Sequence, residues 1–306
     1  MKLILSRKGF DAKYGGSASP IFEDESMLSL PIPRPSHLSY AAIRYRGASL
    51  AADVTSLSRG RIGGAATAHL DPDLRREAIV RARRWRPIFG QAGAAQSHLA
   101  NCGVGPGDLF LFFGWFRRVE RAGGKLRYVR GAPDLHVVFG WMQIGELHPV
   151  TQKLAEEMPW AAYHPHLSDG WDLKNNTIYV ASERLSTLGL EIPGAGAFEC
   201  FRPELCLTHT EPYRGRSTWR LPRWFRYPRG AALSRHGAAE RWRGRRDHVE
   251  LRTVPIGQEF VLDLDLREYP QAREWLTHLI AGADATAAAE ATDASTAPKS
   301  SRRKIC

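Results

Sequence analysis

Asp108-Leu109-Phe110-Leu111-Phe112-Phe113-Gly114-Trp115-Phe116 is the stretch whose reading decides the fold. Almost every side chain in it is apolar, so it has no solvent face and reads as a strand buried on both sides. A second run of the same kind is Leu135-His136-Val137-Val138-Phe139-Gly140-Trp141-Met142-Gln143-Ile144-Gly145. Between the two lies a basic turn, Arg117 to Arg130, that contains Gly123-Gly124, and the three pieces together read as a long hairpin. Further strands are expected at Leu3-Ile4-Leu5, at Met27 to Pro33 (stopped by its prolines), at Thr177 to Ala181 and at Glu259 to Leu262.

Helices are expected in three places. Asp71 reads as an N-cap, with Pro72 at the first helical position and Asp73 and Glu77 in the N-terminal half. Gly93 to Asn101 reads as a second helix, stopped by Gly103. Pro270 to Ile280 reads as a third, with apolar residues at Ala272, Trp275, Leu276, Leu279 and Ile280. There is no internal repeat and no clean linker. The expectation is an α+β fold over residues 1–280: a single mixed α/β unit with a central, partly barrel-like sheet and flanking helices. Residues 281–306 are rich in Ala, Thr and Ser, with little to bury, and are expected to form a disordered tail.

Of the 306 residues, 43% are apolar and 25% charged, which excludes fibrous, wholly disordered and coiled-coil classes. The four cysteines include no closely spaced pair, so neither a disulfide framework nor a structural zinc site is expected. No apolar run approaches about 18 residues and no signal peptide opens the chain, so a cytoplasmic protein with no membrane partner is expected. Lys and Arg exceed Asp and Glu by 11. Nearly all of that excess sits in one stretch, Arg214 to Arg246, which holds eleven arginines against the single acid Glu240. Arg216, Arg220 and Arg223 there are candidates for phosphate contacts, with Trp224 as a candidate for stacking on a base. The alternative is a solvated basic loop anchored by its tryptophans.

Other residues could carry chemistry. Arg7 and Lys8 follow a buried strand, where a ligand phosphate could be held, with Asp11 as a nearby acid. The alternative is a solvated strand end. His69 either just precedes a helix or works with a nearby Asp in acid–base chemistry. Gln91, Gln96 and His98 lie among small residues, and amide side chains can read a base edge; if the stretch is helical, Gln91 and His98 share a face. His164 and His166 stand two apart, and an extended backbone would point them to opposite faces, so no metal is expected there; one of them acting as a base, or touching one, fits better. Asp108, Trp115 and Trp141 could line a pocket for a planar ring, although most aromatic residues in such strands are core. No dinucleotide fingerprint or phosphate loop appears, so no cofactor is assigned.

Several of these stretches together resemble a known family. They are Leu5-Ser6-Arg7-Lys8-Gly9-Phe10-Asp11 with Tyr14-Gly15-Gly16, Leu28 to Pro33, His69-Leu70-Asp71-Pro72-Asp73-Leu74, Gly90 to Leu99, Gly107 to Phe116, Phe139 to Gly145 and His164-Pro165-His166. The family is the third of the nucleotide-modification-associated domains of bacteria and phages. The resemblance implies a role with modified DNA bases or nucleotides and specifies no reaction. Gly105-Pro106-Gly107-Asp108 followed by an aromatic strand also resembles the PUA-like modules that bind modified bases. Two functions are therefore expected to compete. One is an enzyme transferring a group to or from a nucleobase, in DNA or in a free nucleotide, in a DNA-modification or phage-defence setting. In it Arg7 and Lys8 would hold phosphate, Asp11 or His69 would handle a proton, and Gln96 and His98 would contact the base. The other is a non-catalytic reader of a modified base. The convergence of Arg7, His69, His98 and His166 in one cleft would favour the enzyme.

Overall fold

The computed structural model describes residues 1–168, 172–225, 233–254, 259–264 and 269–281. In chain order the first strands are β1 (Lys2–Arg7), β2 (Ser19–Ile21), β3 (Arg44–Tyr45) and β4 (Ala48–Ser49), followed by the helix α1 (Ala51–Leu57). Then come β5 (Ile88–Gln91), α2 (Gly93–Asn101), β6 (Leu109–Ala122), β7 (Lys125–Tyr128) and β8 (Leu135–Pro149). The short helices α3 (Leu154–Glu157) and α4 (Pro165–Ser168) precede β9 (Thr177–Ala181) and β10 (Ala195–Ala197). The last elements are β11 (Thr218–Pro222), β12 (Trp242–Gly244), β13 (His248–Arg252), β14 (Glu259–Asp263) and α5 (Pro270–Ala281).

The fold is a mixed α/β arrangement built on a nine-stranded sheet whose main path runs β14-β1-β6-β8-β9-β5. The β1–β6 pair is parallel and the other neighbours on this path are antiparallel. The long strands β6 and β8 form its centre because Leu109 to Phe113 and Leu135 to Ile144 have no face to give to water; all of these residues are buried. Gly123 and Gly124 both take positive φ in the two-residue turn from β6 to β7, the backbone that a type I′ hairpin turn requires. Phe89 of β5 packs its ring against Phe110, Phe112 and Tyr179 at 5.1–5.6 Å between centroids, which ties the outer strands to the centre. Helices α2 and α5 lie where their spacing placed them, and α5 buries Ala272, Leu276, Leu279 and Ile280.

Among the described residues the ends of the path, β14 and β5, do not pair, so the sheet does not close into a full barrel. Two expectations change. No helix starts at Asp71. Instead Asp73 bridges Ile88, and its carboxylate takes two hydrogen bonds of 2.6 Å from Arg81 and one of 2.5 Å from Tyr163, so tertiary pairing overrides the local capping pattern. Met27 to Pro33 runs extended but makes no ladder. Its polar backbone is satisfied by isolated bonds such as Leu30 N to Ser19 Oγ and the Tyr40 hydroxyl to Pro31 O. The tail expected over 281–306 lies outside the described residues except for Ala281, as do Arg226 and Arg229 of the basic stretch.

Two strands from that stretch, β11 and β12, flank β13, which follows it, in a three-stranded sheet of order β11-β13-β12. Its tryptophans anchor it. Trp219 is fully buried against Phe113 and donates its indole N–H to His136 Nδ1 at 3.0 Å, and Trp242 donates to His236 O at 2.7 Å.

Candidate functional site

The site begins with the edge strand β5. Its outward N–H at Gly90 has no strand partner and donates to Asp71 Oδ1 at 2.8 Å. Gly90 lies directly under the His166 ring, and any Cβ there would overlap that ring. His166 arrives on a tight turn rather than an extended segment. Leu167 N and Ser168 N both donate to His164 O, which curls residues 164–168 into the start of α4. The two imidazoles therefore face one way, 5.8 Å apart, and the expectation that they point to opposite faces does not hold. His69 completes the group from the loop before Asp71, its ring 5.4 Å from that of His166.

Three histidines thus surround one carboxylate. His164 Nε2 is 3.4 Å from Asp71 Oδ1, while His166 Nε2 and His69 Nε2 are 3.8 and 3.9 Å from Asp71 Oδ2. The His69 and His166 side chains keep 14% and 8% exposure, so the group is recessed but not sealed. Burial alone would raise the Asp71 carboxyl. His164 and the other surrounding imidazoles outweigh it and hold the group well below the usual carboxylate range. Burial pushes His69 down to about 3 and also lowers His166, with Asp71 opposing both shifts. Both shifts favour the uncharged rings of His69 and His166 beside the Asp71 carboxylate.

Asn176 fixes one of those rings. Its Nδ2 donates to His166 O at 2.9 Å, which turns its Oδ1 toward His166 Nδ1 at 2.6 Å. A small cavity of about 50 Å³ abuts Asp71 beside Gly9, Ser29, Leu70 and Arg75, well below the roughly 300–1,000 Å³ of ordinary ligand pockets.

A second buried polar group joins the end of β5 to the start of β14. Lys8 pairs with Glu259 at 3.0 Å and sits 4.4 Å from the Phe89 ring centroid; Gln91 Nε2 donates to the same Glu259 oxygen. Gln91 lies in β5 and His98 in α2, so they share no helix face. His98 Nε2 meets Ser234 Oγ at 3.0 Å, and Gln96 accepts from the Tyr179 hydroxyl at 2.8 Å. Arg7 donates to Val254 O and lies over Phe260, while Asp11 accepts the Lys13 and Tyr14 amides and closes its own turn. The structure therefore brings together His69, His164 and His166. Gln91 follows Gly90 in β5 and meets Glu259 together with Lys8; Arg7 and His98 feel the same Glu259 charge, and Asp11 lies near Arg7, all outside the histidine group.

The remaining candidates are placed as follows. Asp108 accepts the Lys2 and Gly105 amides at 2.7 and 3.0 Å at the start of β6. Trp141 is buried against Phe198 and donates to Pro193 O. Trp115 lines a cleft of about 540 Å³ with Tyr128, Arg59, Arg61 and Arg117, and the Arg216 guanidinium covers its ring at 4.1 Å. Arg220 is exposed and pairs with Asp247, and Arg223 donates to Arg246 O. Trp224 stacks on Phe225 at 4.2 Å and meets Trp275 of α5.

Two groups of ligand-type atoms fall within 4.8 Å of one another among the described residues: His69, Asp71 and His166, and His209, His248 and Glu250. In the second group the carboxylate is already held by the fork of Arg245, with two bonds of 3.0 Å. Sequence reading paired His69 with a nearby Asp but gave Asp71 itself a capping role, because its Asp-Pro-Asp context imitates a helix start, and it missed Glu259, which sits in an otherwise apolar strand. The signal that was available is the His-x-Asp spacing at His69 and Asp71.

Among the described residues no helix is long and apolar enough to cross a membrane. No curated protein and no solved structure matches the chain. The family model described as nucleotide modification associated domain 3 matches residues 2–263, and the chain belongs to that family.

Proposed function

We propose that the chain is an enzyme of nucleotide modification, transferring a group to or from a nucleobase in DNA or in a free nucleotide, in a cytoplasmic DNA-modification or phage-defence pathway. The observation that carries this reading is the convergence of His69, His164 and His166 on buried Asp71. A packed core has no use for three imidazoles around a carboxylate, and perturbed titratable groups gathered in one recess are a mark of reacting centres. Asp71 orients the rings, and His69 and His166 turn their Nε2 atoms to the reacting group. Lys8, just past β1, and Gln91, at the end of β5, polarise the region beside them. The test is nucleoside mass spectrometry of DNA and of nucleotide pools incubated with the protein in a small-molecule extract, comparing wild type with Asp71→Asn. A nucleoside gained or lost with wild type alone supports the enzyme. Unchanged nucleosides together with tight DNA binding sink it.

A second reading, a non-catalytic reader of a modified base, is favoured by the Trp115 cleft, whose volume suits a nucleobase and whose rim is basic. Arg216 now occupies the face of Trp115, so a base would stack there only after that side chain moved. Reader function predicts that Trp115→Ala abolishes binding to modified DNA while Asp71→Asn does not.

A further inference from the structure

We propose that His69 Nε2, Asp71 Oδ2 and His166 Nε2 form a binding site for one divalent transition-metal ion, with His164 and Asn176 as its outer supports.

The argument starts from protons. Asn176 is oriented by its own bond to His166 O, so its Oδ1 is the atom that faces His166 Nδ1, and that nitrogen must carry the hydrogen. In the neutral ring Nε2 is then a bare lone pair, and it points at a carboxylate oxygen 3.8 Å away. Two acceptors facing each other in a buried recess repel unless a cation lies between them. A proton shared between them would draw the atoms to hydrogen-bond distance, about 2.7–3.2 Å. The observed separations at Oδ2 are 3.8 Å from His166 and 3.9 Å from His69. Metal bonds of about 2.0–2.2 Å place neighbouring ligand atoms roughly 3.3 Å apart. A closing movement of roughly half an ångström brings each nitrogen to ligand spacing from Oδ2, and the three atoms already lie within 4.8 Å of one another.

The other carboxylate oxygen is accounted for separately. Oδ1 accepts the Gly90 N–H and lies 3.4 Å from His164 Nε2. His164 Nδ1 faces the His166 N–H at 3.4 Å, so it is the acceptor and Nε2 carries the hydrogen. His164 Nε2 thus turns its hydrogen toward Asp71 without closing a hydrogen bond, and the ligand set is two imidazoles and one carboxylate on one side of the recess. Outer hydrogen bonds to ligating imidazoles, like that of Asn176 to His166, fix tautomer and orientation, and His164 holds the His166 backbone amide. Two nitrogen donors disfavour magnesium and calcium and suit zinc, iron(II) or cobalt(II), and three protein ligands leave coordination positions open for water or a substrate oxygen. The second histidine group offers no such site, because Arg245 already neutralises Glu250.

The proposal deepens the enzyme reading of the same cluster and rests on it for its role, but binding is measured without turnover. The untagged full chain is treated with chelator, desalted and titrated with zinc and with cobalt(II) chloride, following bound metal by mass spectrometry and the cobalt spectrum. One ion per chain is expected, with a spectrum of nitrogen and oxygen ligation and a raised melting temperature. His166→Ala and Asp71→Asn should lose stoichiometric binding. His164→Ala and Asn176→Ala should keep one site at roughly 10–100-fold weaker affinity. His209→Ala should bind as wild type does. Circular dichroism identifies any variant that fails to fold, in which case the two outer-support variants decide. No bound ion at micromolar metal, a thiolate-to-cobalt band, or undiminished binding in Asp71→Asn overturns the proposal. Stoichiometric metal without any nucleoside change would leave the site standing and sink the enzyme reading alone.

Discussion

Asp71 and Asp73 stand two residues apart and show how little local sequence says about a carboxylate's work. Both fit a helix start, and neither caps one. Asp73 is fully buried with Arg81, which is itself only 3% exposed. Asp73→Ala would leave that guanidinium buried without its partner, and the expected cost is about 3–5 kcal/mol in urea unfolding. His69, His164 and His166 were legible as candidates because histidine titrates near neutrality. Their meeting point was not, because it depends on Gly90 and on the turn at α4, which no spacing encodes. A further histidine acts through stability. His136 is deeply buried and accepts the Trp219 indole N–H, and burial first, with Arg7 and Arg216 adding to it, holds its pKa well below 6.5. The unfolded chain takes up a proton below about pH 6.5 and the folded chain does not. Stability therefore falls as pH drops from there toward the folded value, by up to about 1.4 kcal/mol per pH unit for this group. His136→Gln should flatten that slope between about pH 5 and pH 7, as read from urea midpoints.

Among the elements, the long strands were legible for a simple reason. A run such as Leu109 to Phe113 has only one way to avoid water, and α2 and α5 carry their own helical spacing. Met27 to Pro33 misled because apolar content marks burial, not pairing, and its backbone finds single partners instead of a ladder. β5 was not recognised as a strand at all, since Ile88-Phe89-Gly90-Gln91 is short and followed directly by α2. Yet β5 carries the site, and Gly90 is its narrowest point. Gly90→Ala must push His166 off the strand. The expected result is a loss of about 1–3 kcal/mol of stability with at least a tenfold weaker hold on cobalt(II), while circular dichroism stays that of a folded sheet. Unchanged metal affinity in a folded Gly90→Ala protein would contradict the placement of His166.

Over the whole molecule, the charge is segregated. The β11–β13 sheet turns its tryptophans inward and leaves Arg220, Arg243, Arg245 and Arg246 exposed. If this face meets a nucleic acid backbone, affinity should fall steeply with salt, and Arg243→Ala with Arg246→Ala should each flatten the log–log salt slope by about 0.9. A filter-binding series across salt concentrations reads this directly, and an unaltered slope in the double variant removes the face from consideration. Metal binding should be indifferent to both changes. One more consequence follows from the strand order. β1 lies between β6, to which it is parallel, and β14, which is more than two hundred residues away along the chain. Lys8, just past β1, closes onto Glu259, the first residue of β14. During synthesis, then, the first strand to leave the ribosome waits for the fourteenth. Until β14 emerges, β1 keeps an open edge and Lys8 lacks Glu259, so the surroundings of Lys8 are among the last parts of the protein to form.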